Sequence, residues 1–474
     1  MSDHSTDHPV TTREPLIAWL ESGCKPPAQW RVGTEHEKFG FHRHSLAPLS
    51  YAGAGGVRAV LEGMAARFNW TMVMEHDQPI ALIERGADQA PFRASITLEP
   101  GGQLELSGAP LWSIHETQEE INEHLQQLGE VCARMEVAFL GVGAQPKWPF
   151  AAMPWMPKGR YREMRRYLPS RGALSLDMMT RTATVQANLD FASEADMVDK
   201  CRLSMALQPL ATALFANSPF LDGQPNGFLS YRAEIWRHTD PDRCGWLPFV
   251  FAPGFGFARY VEYALDVPML FLYRQGQYHD AGGTPFRAFL AGRLPRLPGQ
   301  HPTLADWETH LSTLFPDVRL KRYLELRGAD AGNSATLCAL PAFWKGLLYD
   351  RAALEAAWAL VADWSLAERA QIHREVPRLA LQTPIPRGGT LRTLAEQILP
   401  LAEAGLARQG RRNEMGCDET IYLRHLAQIV TSGLTPAERL LEAYRQRWHG
   451  SVDPLFREQE FESFYADCQA TTFT

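Results

Sequence analysis

Four segments of this chain alternate polar and apolar residues with a period of two, and on an extended backbone residues two apart point to the same side. In TATVQANLDF, Thr182, Thr184, Gln186, Asn188 and Asp190 stand opposite Ala183, Val185, Ala187, Leu189 and Phe191. The stretch SITLEPGGQLELSGAP (95–110) reads as a hairpin around a Pro-Gly-Gly turn. Thr97 and Glu99 share a face of one arm, Gln103, Glu105 and Ser107 a face of the other, and Leu98, Leu104 and Leu106 take the opposite side. RLKRYLELRGAD predicts one more strand, with Arg319, Lys321, Tyr323, Glu325 and Arg327 on one side and Leu320, Arg322, Leu324 and Leu326 on the other. GTEHEKFGF (33–41) projects Glu35 and Glu37 together and His36 the other way. Glutamate has low strand propensity, so such a pair needs a cause. A lone Glu-x-Glu fits a solvated edge, but four strands with one polar face each predict a sheet whose polar sides converge.

The helical signals are separate. Ser113 and Glu116 form a capping box, and Ile121, Leu125, Leu128, Cys132 and Met135 recur at helical spacing behind it. A second helix is predicted from near Ser193, and a Pro- and Gly-rich stretch at 282–302 is a linker or a large loop. From 340 to about 449 the chain is rich in Ala, Leu, Arg and Glu, which predicts helices. The expected class is α+β, a single domain with a lead-in (1–30), a sheet-rich catalytic body (31–339), a helical part (340–450) and a tail (451–474).

Composition limits the partners. A formal net charge of -7 argues against broad nucleic-acid binding. The longest apolar segment, near MALQPLATALFANSPF, is interrupted by Gln208 and Pro209 and falls short of the roughly 20 residues of a membrane span. The start, MSDHSTDHPV, has neither a basic nor an apolar leader region. Seven scattered cysteines without a C-x-x-C pair predict a reducing compartment with no zinc ribbon or disulfide framework. These features together predict a cytoplasmic protein.

Carboxylates brought together raise one another's pKa unless cations neutralise them. Glutamate and glutamine oxygens suit a hard cation such as Mg²⁺, which keeps waters and bridges protein carboxylates to phosphates. KGRYREMRR adds Lys158, Arg160, Arg162, Arg165 and Arg166, which make either a basic helix face or a phosphate contact. His36, His42 and His44 lie close in sequence but form no H-E-x-x-H, and no G-x-S-x-G occurs. A metal–nucleotide site is the economical expectation.

Taken together, GTEHEKFGF, LEPGGQLELSGAP, MPKGRYREMRRYLP, LDMMTRTATVQANLDF, LFANSPFLDGQPNGFLS and VRLKRYLELRGAD resemble glutamate–cysteine ligase of the plant and proteobacterial type. The likeness runs from about Arg31 to the SVDP segment near Ser451. It implies a glutamine-synthetase-like, curved and largely antiparallel sheet forming a funnel. It also implies that glutamate, cysteine and ATP are joined to γ-glutamylcysteine through a γ-glutamyl phosphate, the first step of glutathione synthesis. The resemblance puts metal-binding carboxylates at Glu35, Glu37, Glu99, Glu105 and Glu325, for magnesium or manganese. Arg181 and Arg232 then suit the glutamate α-carboxylate or the transferring phosphate, Gln186 and Asn188 orient substrate, and Trp236 walls its pocket. Lys158, Arg160 and Lys38 are the expected nucleotide contacts. Alternatives are a ligase of the same fold with another acceptor amine, or an inactive binding subunit. Plant members carry a plastid transit peptide, a character the chain's start lacks, and no disulfide of theirs can be matched to these cysteines, so a cytoplasmic monomer or homodimer is expected.

Overall fold

The computed structural model describes residues 8–85 and 94–461. Its centre is a nine-stranded sheet in which every pairing is antiparallel. The strands are β1 (Val32–His42), β2 (Trp70–Glu75), β3 (Gln78–Glu84), β4 (Ser95–Leu98), β5 (Leu104–Ser107), β6 (Val137–Leu140) and β7 (Thr184–Leu189), followed by Val318–Leu320 and Leu324–Asp330. The eleven residues of β1 make it the hub. Its first half lies between β5 and β7, and its second half pairs with β6.

The hairpin forms as its sequence predicts. Leu98 pairs with Leu104, and the Gly102 amide closes the turn on the Glu99 carbonyl at 2.9 Å. Gly102 has φ 83°, a conformation that strains any residue with a Cβ. A Cβ on Gly101 would stand 2.4 Å from the Thr180 carbonyl oxygen, so glycine there lets the turn press against the segment leading into β7.

The segment RLKRYLELRGAD is not one strand. The chain reverses at 321–323, and Val318–Leu320 returns against Leu324–Asp330 with Arg319 opposite Glu325. Because residues directly opposite share a face, the polar alternation survives the reversal.

The apolar side of the sheet is covered by helices. Helix Glu194–Leu214 packs on strand Leu324–Asp330, and helix Ser334–Leu348 packs on β7 and β1. Val185, Ala187, Leu189, Leu324 and Leu326 are fully buried beneath them. Toward the other edge, Ile96, Leu98, Leu104 and Leu106 share a core with helix Val57–Arg67 and with Leu128 and Val131 of helix Ile114–Cys132. Each fully buried leucine contributes roughly 2 kcal/mol, and a sheet anchored by many of them can hold unfavourable polar groups on its other side.

The α+β class and the predicted helix with its capping box at Ser113 and Glu116 are both present. The boundary expected at 339/340 falls inside helix Ser334–Leu348, whose residues belong to the same core as the sheet. Among the described residues no helix is long and apolar enough to cross a membrane. The expectation of no disulfide fails, because Cys417 is disulfide-bonded. Cys24, Cys132, Cys201, Cys244 and Cys338 are free thiols, and Cys468 lies outside the described residues. Bridging depends on Cα separation, which spacing along the chain does not report.

Candidate active site

The polar faces of β1, β4, β5, β7 and the last hairpin line a cavity of about 300 Å³. Glu35, Glu37, Glu99 and Glu105 all border it, with Lys158 and Arg160 on one side and Arg232 and Arg327 on another. Register explains the convergence. Glu35 lies between Ser107 and Gln186, and Glu37 is directly opposite Glu105.

Each carboxylate has its own partners. Glu35 accepts from Asn188 Nδ2 at 2.7 Å, Glu37 from the Thr184 amide at 3.0 Å, and Glu105 from Thr97 Oγ1 and Ser107 Oγ at 2.9 and 3.0 Å. Tyr161 Oη lies 3.4 Å from Glu99. These bonds do not offset the setting. Burial, then the charges of Glu325 and Glu105, push the Glu35 pKa up to about 7. Burial with Glu99 and Glu105 raises Glu37 well above the usual carboxylate range, and burial with Glu99 raises Glu105.

Glu325 differs. Burial works against its charge, yet Arg319, Lys321 and Arg327 hold its pKa well below the usual range. Arg319 Nη2 reaches both carboxylate oxygens, at 2.5 and 2.8 Å, Lys321 Nζ lies at 3.0 Å, and Arg327 is bonded as well. Sequence reasoning put Glu325 among the metal ligands, but in this arrangement three cations already neutralise it. Arg319, Lys321 and Arg327 border the cavity and were given no role from sequence. The signal was present in their alternation with Glu325.

The expected substrate and nucleotide residues divide. Gln186 accepts from Arg327 Nη1 at 2.5 Å and stands beside Glu35, while Trp236 and Arg232 form one wall. Arg232 Nε, Trp236 Nε1, Asn188 Oδ1 and Arg160 Nε are buried without a hydrogen-bond partner among the described residues. Lys158 donates to the Leu98 carbonyl at 2.8 Å, and its pKa is pushed down to about 8 by burial against the opposing pull of Glu99. Arg160 reaches Ser312 at 3.3 Å, whereas Arg162 and Arg166 engage Glu163 and Arg165 lies over Trp155.

Of the expected residues, Glu325, Asn188, Lys38 and Arg181 do not line the cavity, and the last two are engaged away from it. Lys38 is fully buried on the reverse of β1, where its Nζ lies 3.0 Å from His36 Nδ1 and burial lowers its pKa to about 7. It fails as a nucleotide contact because an even-numbered position on this strand faces away from Glu35 and Glu37. Arg181 ends helix Ser175–Arg181 with its guanidinium engaged by Asp177 and by Asp222 at 2.7 Å. It does not border the cavity.

The donor set fits a hard divalent cation. Glu35, Glu37, Glu99 and Glu105 offer only oxygen, and the raised pKa values of Glu35, Glu37 and Glu105 mark negative charge that such a cation would stabilise. Among the described residues no three His, Cys, Asp or Glu side chains stand close enough to hold one ion alone. That spacing suits a metal which binds through one or two carboxylates and completes its shell with water and phosphate oxygens.

Comparison with known proteins agrees with this geometry. Residues 31–458 match the model of glutamate–cysteine ligase family 2. The chain is 54% identical over 447 residues to the chloroplastic glutamate–cysteine ligase B of Oryza sativa subsp. japonica, covering 94% of this chain and 87% of the relative. It is 55% identical to the chloroplastic enzyme of Brassica juncea, covering 94% and 84%. Among solved structures, glutamate–cysteine ligase of Francisella tularensis in complex with AMP matches with a TM-score of 0.52 at 13% identity, over 93% of this chain and 90% of that one. It shares the fold, the glutamine-synthetase-like architecture expected from the resemblance. The cytoplasmic expectation is overturned, because these plant relatives are named chloroplastic. The character of the first ten residues decides nothing about location. With a family model covering residues 31–458 and relatives more than half identical over most of their length, the chain belongs to the glutamate–cysteine ligase family.

Proposed function

We propose that the acidic cavity is where this ligase joins the γ-carboxylate of glutamate to the amine of cysteine, using ATP. The terminal phosphoryl group passes from ATP to a γ-carboxylate oxygen with release of ADP, and the cysteine nitrogen then attacks the carbonyl carbon of that acyl phosphate and displaces phosphate. The observation that carries this is the meeting of four carboxylates with Lys158, Arg160, Arg232 and Arg327 around one 300 Å³ space. Phosphoryl transfer asks for positioning and charge stabilisation, not a covalent protein nucleophile.

Glu35, Glu37, Glu99 and Glu105 would hold magnesium, which when bound supplies charge neutralisation for the phosphates. Lys158 and Arg160 stand on the hairpin side and hold phosphate oxygens, with the unpartnered Arg160 Nε free to donate. Arg232 takes the substrate carboxylate, as its buried Nε also lacks a partner. Gln186 and Asn188 fix Glu35, and Trp236 excludes water from the reacting carbon. Arg319, Lys321 and Arg327 hold Glu325 and keep that edge of the sheet positive.

ADP release with glutamate and Mg²⁺, measured while the amine is varied, tests the function. Cysteine dependence is expected. Preference for another amine would shift the acceptor, and no turnover with any amine would remove the catalytic role.

A further inference from the structure

Lys158 and Arg160 both border the acidic cavity, and the residue between them is Gly159, the first of helix Gly159–Tyr167. A helix leaves its first backbone N–H groups without partners of its own, and Lys158, which precedes this one, supplies no side-chain cap. The cap comes from another part of the chain. Glu75, the last residue of β2, accepts from the Gly159 amide through Oε1 at 2.7 Å, the one hydrogen bond of its side chain among the described residues.

The junction is closely fitted. A Cβ on Gly159 would stand 2.6 Å from Glu75 Oε1 and 2.9 Å from the Tyr278 ring, so a larger residue would displace the carboxylate and crowd the ring. Tyr278 belongs to a hairpin of strands Phe271–Arg274 and Gln277–Asp280, and its ring meets Phe271 edge-on at 4.9 Å. The Arg160 guanidinium lies over the same Phe271 ring at 5.5 Å, and in the last turn of the helix Arg166 pairs with Asp280 at 2.6 Å. The hairpin therefore holds the helix along its length, and Glu75 holds its first turn. An irregular stretch of β2, whose register against β3 shifts between Val73 and Met74, leads into Glu75. From the helix start the contacts continue to the metal side of the cavity, because Lys158 Nζ and Tyr161 Oη both donate to the Leu98 carbonyl next to Glu99.

Resting on the ligase function above, we infer that Glu75 is a positioning residue for the nucleotide, whose carboxylate locks the first helical turn so that Lys158 and Arg160 are presented together to the phosphates. Glu75 does not border the cavity, so it acts on the substrate only through the residues it holds. Its effect runs through one backbone amide, and the cations on either side of that amide move when it is released. What the amide needs is an acceptor oxygen at the right reach. A glutamine keeps that oxygen without the charge, whereas an aspartate keeps the charge and withdraws the oxygen by one methylene.

Steady-state ADP release by the full chain, with ATP, glutamate and cysteine varied in turn, tests the assignment. Glu75→Ala and Glu75→Asp are expected to raise the KM for ATP about tenfold and to leave the KM for glutamate and for cysteine within about twofold. Glu75→Gln is expected to keep the KM for ATP within about threefold of the wild type. An unchanged KM for ATP in Glu75→Asp overturns the assignment, and that variant serves where Glu75→Ala does not fold. An equal rise of all three KM values, the mark of a loosened fold and not of a misplaced phosphate contact, overturns it as well. So does a Glu75→Gln enzyme as impaired as Glu75→Asp. Cysteine dependence of ADP release by the wild type in the same runs tests the ligase function separately.

Discussion

Glu37 of β1 and Glu105 of β5 are direct cross-strand partners, so a half-buried and a buried carboxylate face each other across the centre of the sheet. Like charges directly opposite destabilise a strand pair. Leu104 and Leu106 on the reverse of β5 hold the pairing in place, and the repulsion is the state in which the site meets a cation.

Replacing one of the pair should therefore separate stability from activity. Glu105→Gln keeps a group that can bond Thr97 and Ser107 but removes the charge. In EDTA the variant is expected to melt higher than the wild type, by about 0.5–2 kcal/mol of added stability, while its ADP release falls at least about a hundredfold. A variant with lower stability in EDTA and full turnover at low Mg²⁺ would remove the metal role.

The same cluster sets a pH dependence. Glu35 has its pKa raised in the folded state to about 7, so the folded chain binds more protons than the unfolded one above the ordinary carboxylate range. The stability it contributes is fully present below about pH 4.3 and is lost as pH rises through about 7. Urea melts of the metal-free chain should show that loss between pH 5 and 8 on the order of a few kcal/mol, and Glu35→Gln should flatten it. Millimolar Mg²⁺ should flatten the wild-type curve also.

Glu325 should behave in the opposite sense. Removing its charge leaves Arg319, Lys321 and Arg327 gathered around a neutral group in the interior. Glu325→Gln is expected to destabilise the chain by about 3–5 kcal/mol in urea unfolding, with or without Mg²⁺. A loss confined to Mg²⁺-containing buffer would make it a metal ligand first.

Lys38 and Arg160 are both basic and both near the site in sequence terms, yet only Arg160 borders the cavity. Arg160→Ala is expected to raise the KM for ATP about tenfold. Lys38→Met should leave that KM within about twofold, since its ammonium lies beside His36 on the other face. Equal effects of the two substitutions would contradict the assignment.

Much of the site was legible because a strand's side-chain period is two. Alternation alone put Glu35, Glu37, Thr97, Glu99, Glu105 and Gln186 on polar faces, and all six border one cavity. Arg181 was legible only as a guanidinium near β7. Its engagement by Asp177 and Asp222 depends on a helical turn and on a loop 41 residues away, and no local pattern reports such a pairing. Lys38 was assigned by its charge, although the same alternation that grouped Glu35 with Glu37 placed it on the reverse face. Glu325 was assigned from the family resemblance, and its three cations became visible only when the chain reversed at 321–323.

The sequence by itself determined the polar and apolar faces, the capped helices and the family, because these follow from side-chain periodicity and from motifs in fixed order. Only the tertiary structure decided which carboxylates remain without a counter-ion, that Glu325 is neutralised, and that Glu75 meets the Gly159 amide between Lys158 and Arg160. Charge balance in an interior depends on distances and burial between residues far apart in the chain, and these exist only once the strands have taken their register.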